Sequence, residues 1–202
     1  MQDNYQIQLE QAKKHFLTYD QQGLIRRCRL HHDEDYFYVA MLSYEYRICR
    51  TTGHMERRRD GEWEDGNGFN EVMTLLDWLC DSRQDRYITG RWINPVTHGH
   101  YFHRDLEESR DPTAELFDAH PQAFCAACER LGGVKMSGAD ISYAIPFLDG
   151  LQVLVQLWHS DEEFPPSLRS LWDENVGRYL RYETIWFATA LLMRRIQENM
   201  HM

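Results

Sequence analysis

Lysine is almost missing from this chain of 202 residues. Only Lys13, Lys14 and Lys135 are lysines, and every other base among its 22 Lys and Arg residues is an arginine. The bases are outnumbered by 32 acids, leaving a net charge of −10. A nucleic-acid duplex repels such a chain unless its bases are gathered into a stripe. The densest basic run, Arg57, Arg58 and Arg59, is bracketed by Glu56 and Asp60. It reads as a solvated loop, with a phosphate patch as the sharper alternative. No nucleic-acid partner is expected. No apolar run approaches the roughly 20 residues of a membrane helix, so no membrane partner is expected either. Met1 to Asn4 carry neither a basic region nor an apolar stretch, and no signal peptide is read there. The cysteines number five, an odd count, at Cys28, Cys49, Cys80, Cys125 and Cys128. We expect a reduced, soluble, cytoplasmic protein without a disulfide framework. A Gly-rich phosphate loop, G-x-S-x-G, H-E-x-x-H and a dinucleotide fingerprint are all lacking, which removes the commonest nucleotide, hydrolase and zinc-protease readings.

What remains is a globular composition, 43% hydrophobic and 27% charged, which sets the chain apart from disordered sequences. A chain of this length suits one domain and buries roughly 70% of its unfolded surface. Arginine pairs bidentately with carboxylates, so many Arg–Glu and Arg–Asp contacts are expected.

Hydrophobic period places the elements. Tyr5, Leu9, Ala12, Phe16 and Tyr19 recur every three or four residues and predict an amphipathic helix over 3–20. The period then falls to two: Tyr36, Tyr38, Ala40 and Leu42 share one strand face, and Phe37, Val39 and Met41 the other. Ser43 breaks that run, Tyr44, Tyr46 and Ile48 resume it, and residues 54–58 form a short edge strand. Residues 60–68 read as an acidic, Gly-rich loop, and 69–82 as a helix with Val72, Leu75, Leu76 and Leu79 on one face. The stretch 91–104 is strand-like, interrupted by Pro95 and Gly99. Short helices begin near Pro112 and Pro121, the latter ending at Gly132 and Gly133. Leu151 to Trp158 is the strongest strand and is placed centrally, with Leu151, Val153, Val155 and Leu157 on its apolar face. Pro165 and Pro166 forbid its continuation. Glu183 to Glu198 closes the chain as a helix, apolar nearly all round from Ile185 to Met193, which docks in the core or on a partner. The expected fold is α+β: a single domain over 1–202, mainly an antiparallel sheet packed with N-terminal, central and C-terminal helices.

Four groupings can carry chemistry. Cys125 and Cys128 share a helix face, and read as two core-facing thiols or as a redox or metal pair. His98 and His100 fall on one side of a strand about 7 Å apart along the chain, with His103 opposite; with Asp161 or Glu163 they can supply metal ligands. Asp161 and Glu163 follow the central strand and share a face, an acidic corner or a pair in which one carboxyl is held protonated. Trp92, Tyr101, Trp158 and Trp172, with Gln152 and Gln156, can line an amphipathic cleft for a small ligand.

The ordered blocks also resemble a known family. Gly90-x-Trp92 and Gly99-x-Tyr101, then Leu131 to Gly133, Gly138 to Asp140, Ile145 and Pro146, the apolar strand, Asp161 to Pro165, and Leu171 to Asp173 resemble the domain-of-unknown-function family numbered 3786, found in bacteria and archaea. The resemblance spans the first helix to the last. It implies a single soluble domain and supplies no mechanism. The function expected from these readings is a non-catalytic domain that binds a small molecule or a protein partner at Trp92, Tyr101, Gln152, Gln156 and Trp158. The alternative is a metal-dependent enzyme using His98, His100 and Asp161 or Glu163. Whether it is an enzyme stays open, no cofactor is named, and the chain is a monomer or homodimer.

Overall fold

In chain order the elements are α1 (Asn4–Phe16), α2 (Gln21–Cys28), β1 (His31–His32), β2 (Tyr36–Met41), β3 (Tyr44–Cys49), β4 (Met55–Arg59), β5 (Glu62–Asp65) and α3 (Phe69–Asp81). Then follow β6 (Trp92–Ile93), α4 (Pro112–Ala119), α5 (Pro121–Arg130), β7 (Val134–Lys135), β8 (Ile141–Leu148), β9 (Leu151–Trp158), β10 (Ser167–Asp173) and α6 (Tyr182–Met200). This computed structural model describes residues 4–66, 68–95 and 111–201. The chain is α+β with antiparallel strand pairing, as its periodicities predict. Contacts group it into two compact units, Met1–Tyr87 with Asn175–Leu191, and Ile88–Glu174 with Leu192–Met202. Among the described residues no helix is long and apolar enough to cross a membrane.

Three hairpins close with two-residue turns in which both residues take positive φ: Leu42–Ser43, Asp60–Gly61 and Asp149–Gly150. Such turns match the twist of the strands they join, and Gly, Asn and Asp adopt them most easily. Asp60–Gly61 and Asp149–Gly150 follow that chemistry. Leu42–Ser43 does not, and its left-handed backbone is held by the burial of the Leu42 side chain.

In the first unit the strands run in the order β5-β4-β3-β2, with β1 on the other side of β2. Phe37, Val39, Met41, Tyr46, Ile48 and Met55 are buried on the inner face. They share the core with Leu9 and Phe16 of α1 and with Val72, Leu75 and Leu79 of α3, and Phe16 meets Phe37 edge-on at 6.2 Å. The outer face is a ladder of arginines, acids and rings. Arg47 grips Glu56 through two hydrogen bonds of 2.7 and 2.9 Å and lies over Tyr36 at 4.4 Å and Trp63 at 4.6 Å. The run Arg57 to Arg59 is strand, not loop: Arg58 meets Glu45 on this outer face, while Arg57, opposite buried Tyr46, turns inward to Glu64 and Glu71.

Two further expectations change here. The first helix stops at Phe16 because Asp20 begins a new one, its carboxylate accepting the N–H groups of Gln22 and Gly23 at 3.1 and 2.9 Å. The acidic loop contains β5, since Trp63 stays with Arg58 across the ladder while Glu62, Glu64 and Asp65 carry the charge.

In the second unit β9 lies between β8 and β10, and β6 pairs with β10. β9 is thus central, with Val153, Val155 and Leu157 fully buried on its apolar face. The same face carries Tyr143 and Ile145 of β8 and Trp172 of β10. Tyr143 donates to Glu129 of α5 at 2.9 Å, and α4 and α5 are stacked through Phe117 and Phe124 at 4.6 Å. α5 ends in a left-handed Gly132 whose N–H bonds Glu129 O, while Gly133 N–H bonds Cys128 O, a glycine C-cap. A side chain on Gly133 would place its Cβ 2.6 Å from that carbonyl oxygen. β8 tolerates Pro146 because the register shifts there. β10 starts directly after Pro165 and Pro166, so the prolines end one strand and precede another.

Candidate functional site

The second face of the β8–β9–β10 sheet carries the polar residues. On β9 they are Gln152, Gln156 and Trp158, with Leu154 between them. Ser142 of β8 and Arg169 of β10 are the register partners of Gln156 on its two sides. Gln152 is exposed, Gln156 is only 8% exposed, and Trp158 is half-buried. The backbone at Gly138 comes close to Gln156; a Cβ there would stand 3.1 Å from the amide nitrogen, and its φ of +105° suits glycine alone. The Ser142 hydroxyl is buried and finds no hydrogen-bond partner among the described residues, a costly state for a polar atom.

Arg169 is exposed, and its guanidinium lies 4.9 Å from the centre of the Trp158 ring. Elsewhere, arginines stacked on rings are also held by oxygens. Arg47 has Glu56, Arg57 has Glu64, Arg58 has Glu45 and Arg178 has Asp85, while Arg50 and Arg86 donate to backbone carbonyls. Among the described residues no carboxylate or carbonyl holds Arg169.

Just beyond Trp158 the chain is fixed by two aspartates. The His159 N–H donates to Asp140 at 2.8 Å, and its ring Nδ1 lies 2.5 Å from Asp118 Oδ1. Ser160 donates its hydroxyl to Asp118 Oδ2 at 2.7 Å. The hydrogen bonds from Ser160 and His159 hold the Asp118 pKa below its ordinary value. A carboxylate on Nδ1 makes that nitrogen the donor.

The residues nominated from sequence are dispersed. Gln156 and Trp158 fall together, next to Arg169. Gln152 lies on the same face four residues from Gln156, and half-buried Trp92 sits on β6 opposite Asp173. Trp172 is 0% exposed and meets Phe147 edge-on at 4.9 Å; it is core and lines no cleft. Asp161 is exposed, but its Oδ1 accepts the N–H groups of Glu163 and Phe164 at 2.8 and 2.7 Å, so it shapes the turn. Glu163 is exposed beside it. His98, His100, Tyr101 and His103 lie outside the described residues. Among the described residues no three His, Cys, Asp or Glu side chains gather as metal ligands. All five cysteines are free, and burial pushes the Cys128 thiol up, which suits a packed side chain rather than a nucleophile.

Arg169, His159, Asp118 and Ser142 did not emerge from the sequence reading. Arg169 is hidden in the sequence because two prolines directly precede β10. His159 follows the strongest strand directly, and that position was the available signal. Asp118 is 41 residues away from it, a pairing that only the fold reveals.

No curated protein and no solved structure matches the chain. A family model does, over residues 20–195, and the ordered glycine, tryptophan and acidic blocks fall inside that span. The chain belongs to the family described as Domain of unknown function (DUF3786).

Proposed function

We propose that this chain is a small-ligand binding protein whose site is the polar face around Gln156, Trp158 and Arg169. The observation that carries the reading is Arg169, an exposed guanidinium stacked on a half-buried tryptophan with no acidic partner among the described residues. The same ring–arginine pairing elsewhere is satisfied within the fold, whereas among the described residues the donors of Arg169 are left for a guest. Gln156 beside it offers an amide donor and acceptor, and the Ser142 hydroxyl behind it has an unused donor.

A thermal-shift screen of metabolites, followed by NMR of nitrogen-labelled protein, tests this. Stabilising compounds should move the Trp158 indole and Arg169 Nε signals, and Arg169→Met should remove both effects. A screen in which stabilising compounds move only distant signals, or in which none stabilises, overturns the proposal.

A further inference from the structure

We infer that the ligand of this face is a planar monocarboxylate, an inference that rests on the binding role proposed above. Three features define the class. First, a guanidinium presents two parallel N–H donors, and a carboxylate matches them with two oxygens in the same plane. Second, Arg169 is already laid over the Trp158 ring at 4.9 Å. A carboxylate paired to its edge shares the guanidinium plane, so a flat conjugated body continuing that plane passes the indole face with less crowding than a bulky saturated one. Third, the charges around the site limit the guest to one negative charge. Among the described residues Arg169 is the cation of the face, whereas Asp118, Asp140, Asp161, Glu162 and Glu163 all lie on the segments that border the end of β9. Asp118 and Asp140 are committed to His159 and Ser160, and Asp161 to its own turn. Each still repels an approaching anion. A phosphate monoester, with nearly two charges at neutral pH, meets that repulsion twice over.

The amide of Gln156 adds a preference. It lies directly opposite Arg169 across the β9–β10 ladder and is buried. It accepts or donates to a second polar group, such as a ring hydroxyl or ring nitrogen, placed on the body of the ligand and away from the carboxylate.

The probes are benzoate, benzamide, cyclohexanecarboxylate and phenyl phosphate, titrated into the whole protein while the Trp158 indole and Arg169 Nε resonances are followed. Benzoate should move both. Benzamide should bind at least about tenfold more weakly, as expected for loss of a charge-assisted pair, and cyclohexanecarboxylate and phenyl phosphate should also fall below benzoate. Arg169→Lys keeps the charge without the fork and should lose most of the benzoate response, which separates bidentate pairing from simple attraction. Arg169 is exposed, so these variants leave the fold in place. Equal binding of benzamide, or tighter binding of phenyl phosphate at the same resonances, overturns the carboxylate class while leaving the binding role standing. Silence from all four probes, with metabolites from the screen still moving Trp158, does the same. Silence from the probes and the screen together removes both.

Discussion

Asp118 acts on its neighbours only as an anion, because both His159 and Ser160 donate to it. That makes its contribution readable in acid. Its folded pKa lies below the ordinary 3.8, so the stabilisation is complete above that value and is lost as pH falls through the lower folded value. Asp118→Asn should therefore have a lower urea midpoint than the parent at pH 6 to 7, roughly, and the gap should narrow as pH falls below about 4. Denaturation midpoints across that range check this; a gap that stays constant into acid would mean that the carboxylate does not hold the turn through its charge. At this scale the sequence revealed Gln156 and Trp158, because strand alternation puts them on the mixed face of an obvious strand. It did not reveal Arg169 or Asp118, because each is made relevant by a partner that belongs to another element. Trp172 was misplaced for the converse reason: size and position near a strand end do not distinguish a core ring from a lining one, and contact with Phe147 decides it.

Hairpins are the element in which strain is visible. Ser43 sits at φ +64° in a turn that favours Gly or Asn. Left-handed backbone costs an L-residue about 1–2 kcal/mol, partly offset in a glycine variant by its freer unfolded chain. Ser43→Gly should thus raise stability by about 0.5–1 kcal/mol, measured by reversible denaturation, with Leu42 left in place to keep its buried contacts. A destabilised variant would show that the serine side chain matters more than the backbone. The periodicity located most elements well: β2, β3, β9, α3 and α6 were legible because alternation or helical spacing runs unbroken through them. β5 was not, since three acids in four residues read as loop, and its strand character comes from pairing with β4. β8 and β10 were obscured by proline, whose effect depends on whether it lies at a register shift or ahead of a strand.

Across the described residues, most ring-stacked arginines are neutralised where they stand, Arg169 excepted. Arg47, Arg57, Arg58 and Arg178 each have a carboxylate within reach, and the excess of acids surrounds them. We expect the protein to leave a short DNA duplex unretarded in a gel at physiological and at low salt; a salt-sensitive shift would show that a basic stripe exists after all. Arginine side chains are inert to the reagents that acylate amines, and this chain presents few amines to them. Lys14 on α1 and Lys135 on β7 are exposed, while Lys13 is mostly covered and paired to Glu10 at 3.5 Å. Limiting amine chemistry will therefore deliver a dye or a surface tether to very few side-chain positions, one near the start of the chain and one in the second unit. The protein can be immobilised in a small number of defined orientations without introducing a single new residue.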